Sequence, residues 1–100
     1  MGLVKKTNIT NEREVYEILK KEGYTNLYTW SDPPGAFYDW HTHTYDEVRW
    51  ILEGEILIGT EEGEFLLKPG DVMIVPANTR HWAKVGKTGV KYVCGSKIRH

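Results

Sequence analysis

From Tyr24 onward, glycines and prolines cut the chain into short runs, and that punctuation limits what it can fold into. All four prolines of the 100 residues fall in this stretch, at Pro33-Pro34, Pro69 and Pro76. The runs between breaks are too short for helices and rich in β-branched and aromatic residues. Asn26 to Trp30, Phe37 to Thr44, Glu47 to Glu53 and Ile56-Leu57-Ile58 read as strands. So do Phe65-Leu66-Leu67, Val72 to Val75, His81 to Val85 and Val90 to Cys94. Turns are expected at Ser31 to Gly35, Gly54, Glu61 to Gly63, Lys68 to Asp71, Pro76 to Thr79 and Gly86 to Gly89. Many short strands at regular spacing mean an all-β sandwich or barrel.

One helix precedes them. Asn11 is a capping residue, and Glu14 stands three positions on, as a capping box requires. Val15, Ile18 and Leu19 form an apolar face, Lys20 and Lys21 sit in the last turn, and Gly23 is the stop. Leu3-Val4 and Ile9 mark an arm that could add an edge strand. The length argues for one domain, with arm and helix over residues 1–25 and the β-barrel over 26–100.

Composition excludes several classes. Net charge is −1, so nothing draws the whole chain to nucleic acid or to a membrane surface. No stretch approaches the run of about 18 apolar residues that a spanning helix requires. The first six residues carry lysines with no apolar run behind them, unlike a secretory signal. Cys94 is the only cysteine, so no intrachain disulfide can form, which fits a reducing, cytoplasmic setting. It is expected as a small core residue. No acidic residue follows Asp71, whereas Arg80, Lys84, Lys87, Lys91, Lys97 and Arg99 do. These are expected to face outward beside acidic strands rather than to form a nucleic-acid patch.

The chemistry lies in the middle of the chain. Side chains two apart on a strand share a face, so His41 and His43 can aim two imidazoles at one point. Glu47 can return a carboxylate from the next strand, and His81 can complete the set. His100 is terminal and is left out. Imidazoles with one carboxylate suit Fe, Mn, Ni, Zn or Cu. The expected metal ligands are therefore His41, His43, Glu47 and His81. Strand parity places Phe37 and Asp39 inward with the histidines, and Arg49 and Ile51 inward with Glu47. Arg49 would then steady Glu47 or hold an anionic substrate. The same parity turns Tyr38, Trp40, Val48, Trp50, Leu52 and Trp82 outward. Three tryptophans on an outer face are much apolar area to leave wet. The helix can cover part of it, and a second copy in a homodimer is the simplest cover for the rest.

These residues resemble the motifs of the cupin superfamily. Its first motif is met at Gly35, His41, His43, Glu47 and Gly54, with every spacing kept. Its second is met at Gly70, Pro76 and His81, with Asn78 where the family has Gly and Val85 where it has Asn. Asn tolerates positive φ best after Gly, and Val85 replaces no ligand. The resemblance implies a jelly-roll barrel, or double-stranded β-helix, with the four ligands above. The run Asp46 to Gly54 is more narrowly similar to acireductone dioxygenases, and Pro76 to His81 fits them loosely. Those enzymes hold Fe or Ni with three histidines and one glutamate. The implied function is a metal-dependent dioxygenase or isomerase acting on a small, oxygen-rich, anionic substrate. Glu47 would serve as ligand and proton acceptor, and Arg49 as the anion's partner. The alternative is a non-catalytic module that binds or senses a small ligand.

Overall fold

Two long bent strands organise the molecule. The computed structural model describes residues 3–98, so Arg99 and His100 lie outside the described residues. In chain order the elements are β1 (Leu3–Lys6), α1 (Glu12–Lys21), β2 (Thr25–Asp32), β3 (Phe37–His41), β4 (Asp46–Thr60), β5 (Gly63–Leu67), β6 (Asp71–Val75) and β7 (His81–Lys97). All strand pairings are antiparallel. The first part of β4 and the last part of β7 belong to a layer ordered β1-β6-β4-β7-β2. The other halves pair with β5 and β3 to make a second layer, β5-β4-β7-β3. The two layers share β4 and β7 and close on one core, as a jelly roll does.

Gly54 and the Gly86–Gly89 stretch, expected to end strands, instead lie within β4 and β7. Register shifts between Ile51 and Glu53, and between Gly54 and Ile56, mark bulges where the pair bends. Gly54 has φ +73, and a Cβ there would fall 2.0 Å from the Gly89 carbonyl oxygen. The glycines let one strand pair turn from the first layer into the second.

Inside, Ile51, Ile56, Ile58, Leu67, Met73 and Val85 form the barrel core. Outside the first layer, Val48, Trp50, Leu52, Val72 and Val93 are buried beneath Val15 and Leu19 of α1. Trp50 therefore belongs to an intrachain layer and is not part of an open outer face. Its indole N–H donates to the Ile9 carbonyl at 2.9 Å, tying the arm to the sheet. The helix starts as its sequence predicts, with Asn11 Oδ1 accepting from the Glu14 N–H at 2.9 Å. Of the basic residues of β7, Lys91 stands near acids, 4.0 Å from Glu12 and 3.9 Å from Glu53. Arg80 lies 3.8 Å from Glu61. No helix among the described residues is long and apolar enough to cross a membrane.

Candidate metal centre

His41 ends β3 and pairs directly with His81 at the start of β7. His43 follows in the loop before β4, two residues on. One potential ligand atom from each of these three histidines lies within 4.8 Å of the others. The rings of His41 and His81 are 4.2 Å apart, and those of His41 and His43 5.0 Å. Glu47, the second residue of β4, lies beside this trio without joining the set of atoms that all fall within 4.8 Å of one another. Its carboxylate lies 3.5 Å from His43 Nε2 and 3.8 Å from His81 Nε2.

The backbone sets the tautomers. His41 Nδ1 donates to the Asp39 carbonyl at 2.6 Å, and His81 Nδ1 donates to the Thr79 carbonyl at 2.9 Å. A carbonyl only accepts, so both Nδ1 atoms carry a proton, and in the neutral ring the lone pair is left on Nε2. His81 is 1% exposed, and its Nε2 is buried with no hydrogen-bond partner. Burial, aided by the neighbouring histidines, holds the His81 pKa below the ordinary value. A buried, neutral imidazole with an unused lone pair fits a divalent metal, since such a ligand must be deprotonated.

The loop carrying the second motif is fastened to the first. The Asn78 N–H donates to the His43 carbonyl at 2.7 Å, and the Ala77 N–H donates to Asp46 at 2.8 Å. Asn78 has φ +65, the conformation its place in the motif requires. His43 is further braced by Tyr45, whose ring stacks on it at 4.9 Å.

A cavity of about 450 Å³ opens over the cluster, lined on one side by His41, His43, Glu47 and Arg49. Arg49 faces inward as parity predicts, with its side chain 12% exposed. Burial opposes its charge, but the Glu47 carboxylate together with Tyr92, Cys94 and Tyr28 outweighs this, and the pKa is raised. Arg49 Nη2 is 3.4 Å from Glu47 Oε1, its guanidinium lies 4.8 Å over the Tyr92 ring, and its Nε is buried with no partner.

The rest of the lining is mostly aromatic: Tyr28, Trp30, Tyr38 and Tyr92, with Ala83. Tyr38 was expected outside and Phe37 inside, and the structure reverses both. Tyr38 pairs with Ala83 and His41 with His81, so β3 spends three steps where β7 spends two. This bulge at Asp39-Trp40 changes the parity. Phe37 consequently shares the outer face with Lys84 and is 58% exposed. The Asp32 carboxylate accepts from Trp30 Nε1 at 2.9 Å and from the Tyr38 hydroxyl at 2.7 Å, which fixes the rim. Tyr28, Tyr92 and Asp32 went unnoticed in the sequence. Tyr28, Trp30 and Asp32 recur every second residue, a strand signal that would have found them. Cys94 is a core residue as expected; its Sγ lies 3.8 Å from Glu47, and burial pushes its thiol up to about 11.

Comparison with known proteins places this barrel. The acireductone dioxygenase of Synechococcus sp. is 46% identical over 54 residues, covering 50% of this chain and 29% of that protein. The Bacillus licheniformis enzyme is 33% identical over 105 aligned positions, covering 81% and 59%. Acireductone dioxygenase 1 of Pectobacterium atrosepticum is 31% identical over 87, covering 74% and 50%. The matched part of the chain spans from 29% to 59% of the length of these relatives. Among solved structures, a cupin superfamily protein from Desulfitobacterium hafniense superposes with TM-score 0.68 at 21% identity, over 99% of this chain and 79% of that one. KdgF from Halomonas sp. does so with TM-score 0.64 at 23% identity, over 73% and 68%. The cupin domain profile matches residues 28–94, which contain both histidine motifs and the walls of the cavity; the chain belongs to the cupin family.

Proposed function

We propose that this chain binds one divalent first-row metal through His41, His43, Glu47 and His81. We read it as a dioxygenase or isomerase of the acireductone dioxygenase type, acting on a small, oxygen-rich, anionic substrate. The observation that carries the reading is His81 Nε2, buried and unpartnered within a cluster of two more imidazoles and a carboxylate. The similarity to acireductone dioxygenases supports the reaction class.

A bound ion would supply a Lewis acid for neighbouring oxygens of a substrate. The protein's own residues define the rest. Asp39 and Thr79 hold the imidazoles of His41 and His81 with their lone pairs inward. Arg49 offers a fixed positive charge beside the cluster, with an unused N–H for an anionic oxygen. Glu47 lies close enough to the histidines to accept a proton from a substrate hydroxyl held there. Tyr28, Trp30, Tyr38 and Tyr92 wall the cavity against water.

Elemental analysis of the freshly purified protein tests the first part: about one ion per chain is expected. His43→Ala and His81→Ala are expected to lose it. Oxygen consumption with Fe(II) and enediol or 1,2-diketo compounds then separates an enzyme from a module that binds without turnover. Protein that takes up no divalent metal after chelation and reloading would overturn the reading.

A further inference from the structure

The cavity over the histidine cluster has a cation toward one end and a carboxylate toward the other. The register sets their order. Arg49 pairs with Cys94 and Cys94 with Tyr28, Trp30 pairs with Tyr92, and Asp32 pairs with Val90. Cys94 and Val90 are four residues apart on one strand, so the Arg49 and Asp32 rows stand about 13 Å apart, with Trp30 midway. At the first end, Arg49 keeps a buried Nε–H without a partner beside the imidazoles. At the other, Asp32 accepts from the Trp30 indole and the Tyr38 hydroxyl through one oxygen, and its second oxygen is buried with no partner. No ion pair neutralises Asp32 among the described residues. Between the two ends lie unused ring faces. Tyr28, Trp30 and Tyr38 line the cavity and remain 49%, 48% and 38% exposed. Among the described residues none of the three packs on another ring. None carries a side-chain cation either, as Tyr92 carries Arg49. A ring that donates its N–H or O–H to a carboxylate is polarised by it, and its face then attracts a cation more strongly.

We propose that Tyr28, Trp30 and Tyr38 hold an onium group, a quaternary or protonated amine, and that the ligand of this cavity is a zwitterion with a carboxylate at its other end. This rests on the anion site and metal centre proposed above: the carboxylate goes to Arg49 beside the histidines, and the onium lies among the rings toward Asp32. A simple anion would leave the Asp32 end unmatched. An uncharged tail would cover the rings but leave the carboxylate behind them uncompensated. A cation over the rings meets both, since the ring faces and the Asp32 charge attract it together. Arg49 and Trp30 stand one row apart, about 7 Å along the strands, which suits a spacer of about three carbons between the two charges.

Calorimetric titration of the full chain, both metal-loaded and chelated, tests this with a matched pair of probes. These are 4-(trimethylammonio)butanoate and 5,5-dimethylhexanoate, which share shape and carboxylate and differ only in the charge of the bulky end. The onium probe is expected to bind at least about tenfold tighter. A merely greasy cavity gives the opposite order, because the uncharged end leaves water more readily. Butyltrimethylammonium, which lacks the carboxylate, is expected to bind at least about tenfold weaker than the zwitterion. Asp32→Asn keeps an acceptor for Trp30 and Tyr38 but removes the charge, and Trp30→Leu removes a ring. Each is expected to cut the onium preference to about threefold or less, with circular dichroism and metal content unchanged. An isostere that binds as tightly as the onium probe, a carboxylate that adds nothing, or a preference that survives in both variants would each overturn the proposal. Metal content is read on the same samples. Protein that takes up no metal yet prefers the onium would sink the metal centre and support this proposal, and metal-loaded protein that prefers the isostere would do the reverse.

Discussion

At the scale of single residues, the chain places costly groups where a ligand would relieve the cost. An unsatisfied buried polar atom costs about 1–3 kcal/mol, and His81 Nε2 and Arg49 Nε are both in that position. Arg49 gives a discriminating prediction. If its role is to hold a substrate anion, Arg49→Met raises KM about 10- to 100-fold, the worth of a charged hydrogen bond, and leaves metal content unchanged. If it steadies Glu47, metal content falls instead, and elemental analysis beside steady-state kinetics decides. Cys94 yields a second prediction. Burial raises its thiol from 9.0 to about 11, so the neutral form is favoured in the folded state. The unfolded thiol loses its proton first, so stability is lost as pH rises from 9.0 through about 11. At neutral pH the thiol should resist iodoacetamide until the protein unfolds, and mass spectrometry of timed samples reads this directly. Rapid alkylation of folded protein would contradict it.

At the scale of elements, caps and bends have separable costs. Asn11 holds the first turn of α1 through one side-chain hydrogen bond. Asn11→Ala should therefore destabilise by about 1 kcal/mol, seen as a lower urea midpoint with unchanged slope. Gly54 is a different case. Its φ is positive and a Cβ would meet backbone, which cannot swing away as a side chain can. Gly54→Ala is expected to cost roughly 2–5 kcal/mol, summing the left-handed penalty and overpacking. A melting temperature close to wild type would show that β4 and β7 do not need this close approach to bend.

For the whole molecule, the metal centre joins β3, the β3–β4 loop, β4 and β7, so occupancy and folding are linked. Metal at about 100 times its Kd should add about 2.7 kcal/mol of stability, and chelation should lower the melting temperature accordingly. Metal-free protein carries its own pH dependence. His81 has a folded pKa below the unfolded value, so its contribution is present above about 6.5 and is lost as pH falls through that range. Chelated wild type should melt progressively lower from pH 7.5 to 5, and His81→Gln should flatten that slope.

Much of this was legible in the residues before any coordinates. The strand runs, the helix with its Asn11 cap and the spacing of His41, His43, Glu47 and His81 are written locally. Alternation along a strand and capping depend on neighbours in sequence, so each can be read from a short window. The side assigned to Phe37 and Tyr38 was not legible, because a one-residue bulge depends on what β7 offers opposite. Nor was the length of β4 and β7: whether a glycine ends a strand or bends it is decided by the chain it presses against. Trp50 was read as outward, which it is, but only the packing of α1 shows it buried. The sequence by itself determined the chemistry that can meet at one point and the kind of element carrying it. The tertiary structure decided which face each aromatic occupies and what covers it, since those outcomes depend on cross-strand partners that lie far away along the chain.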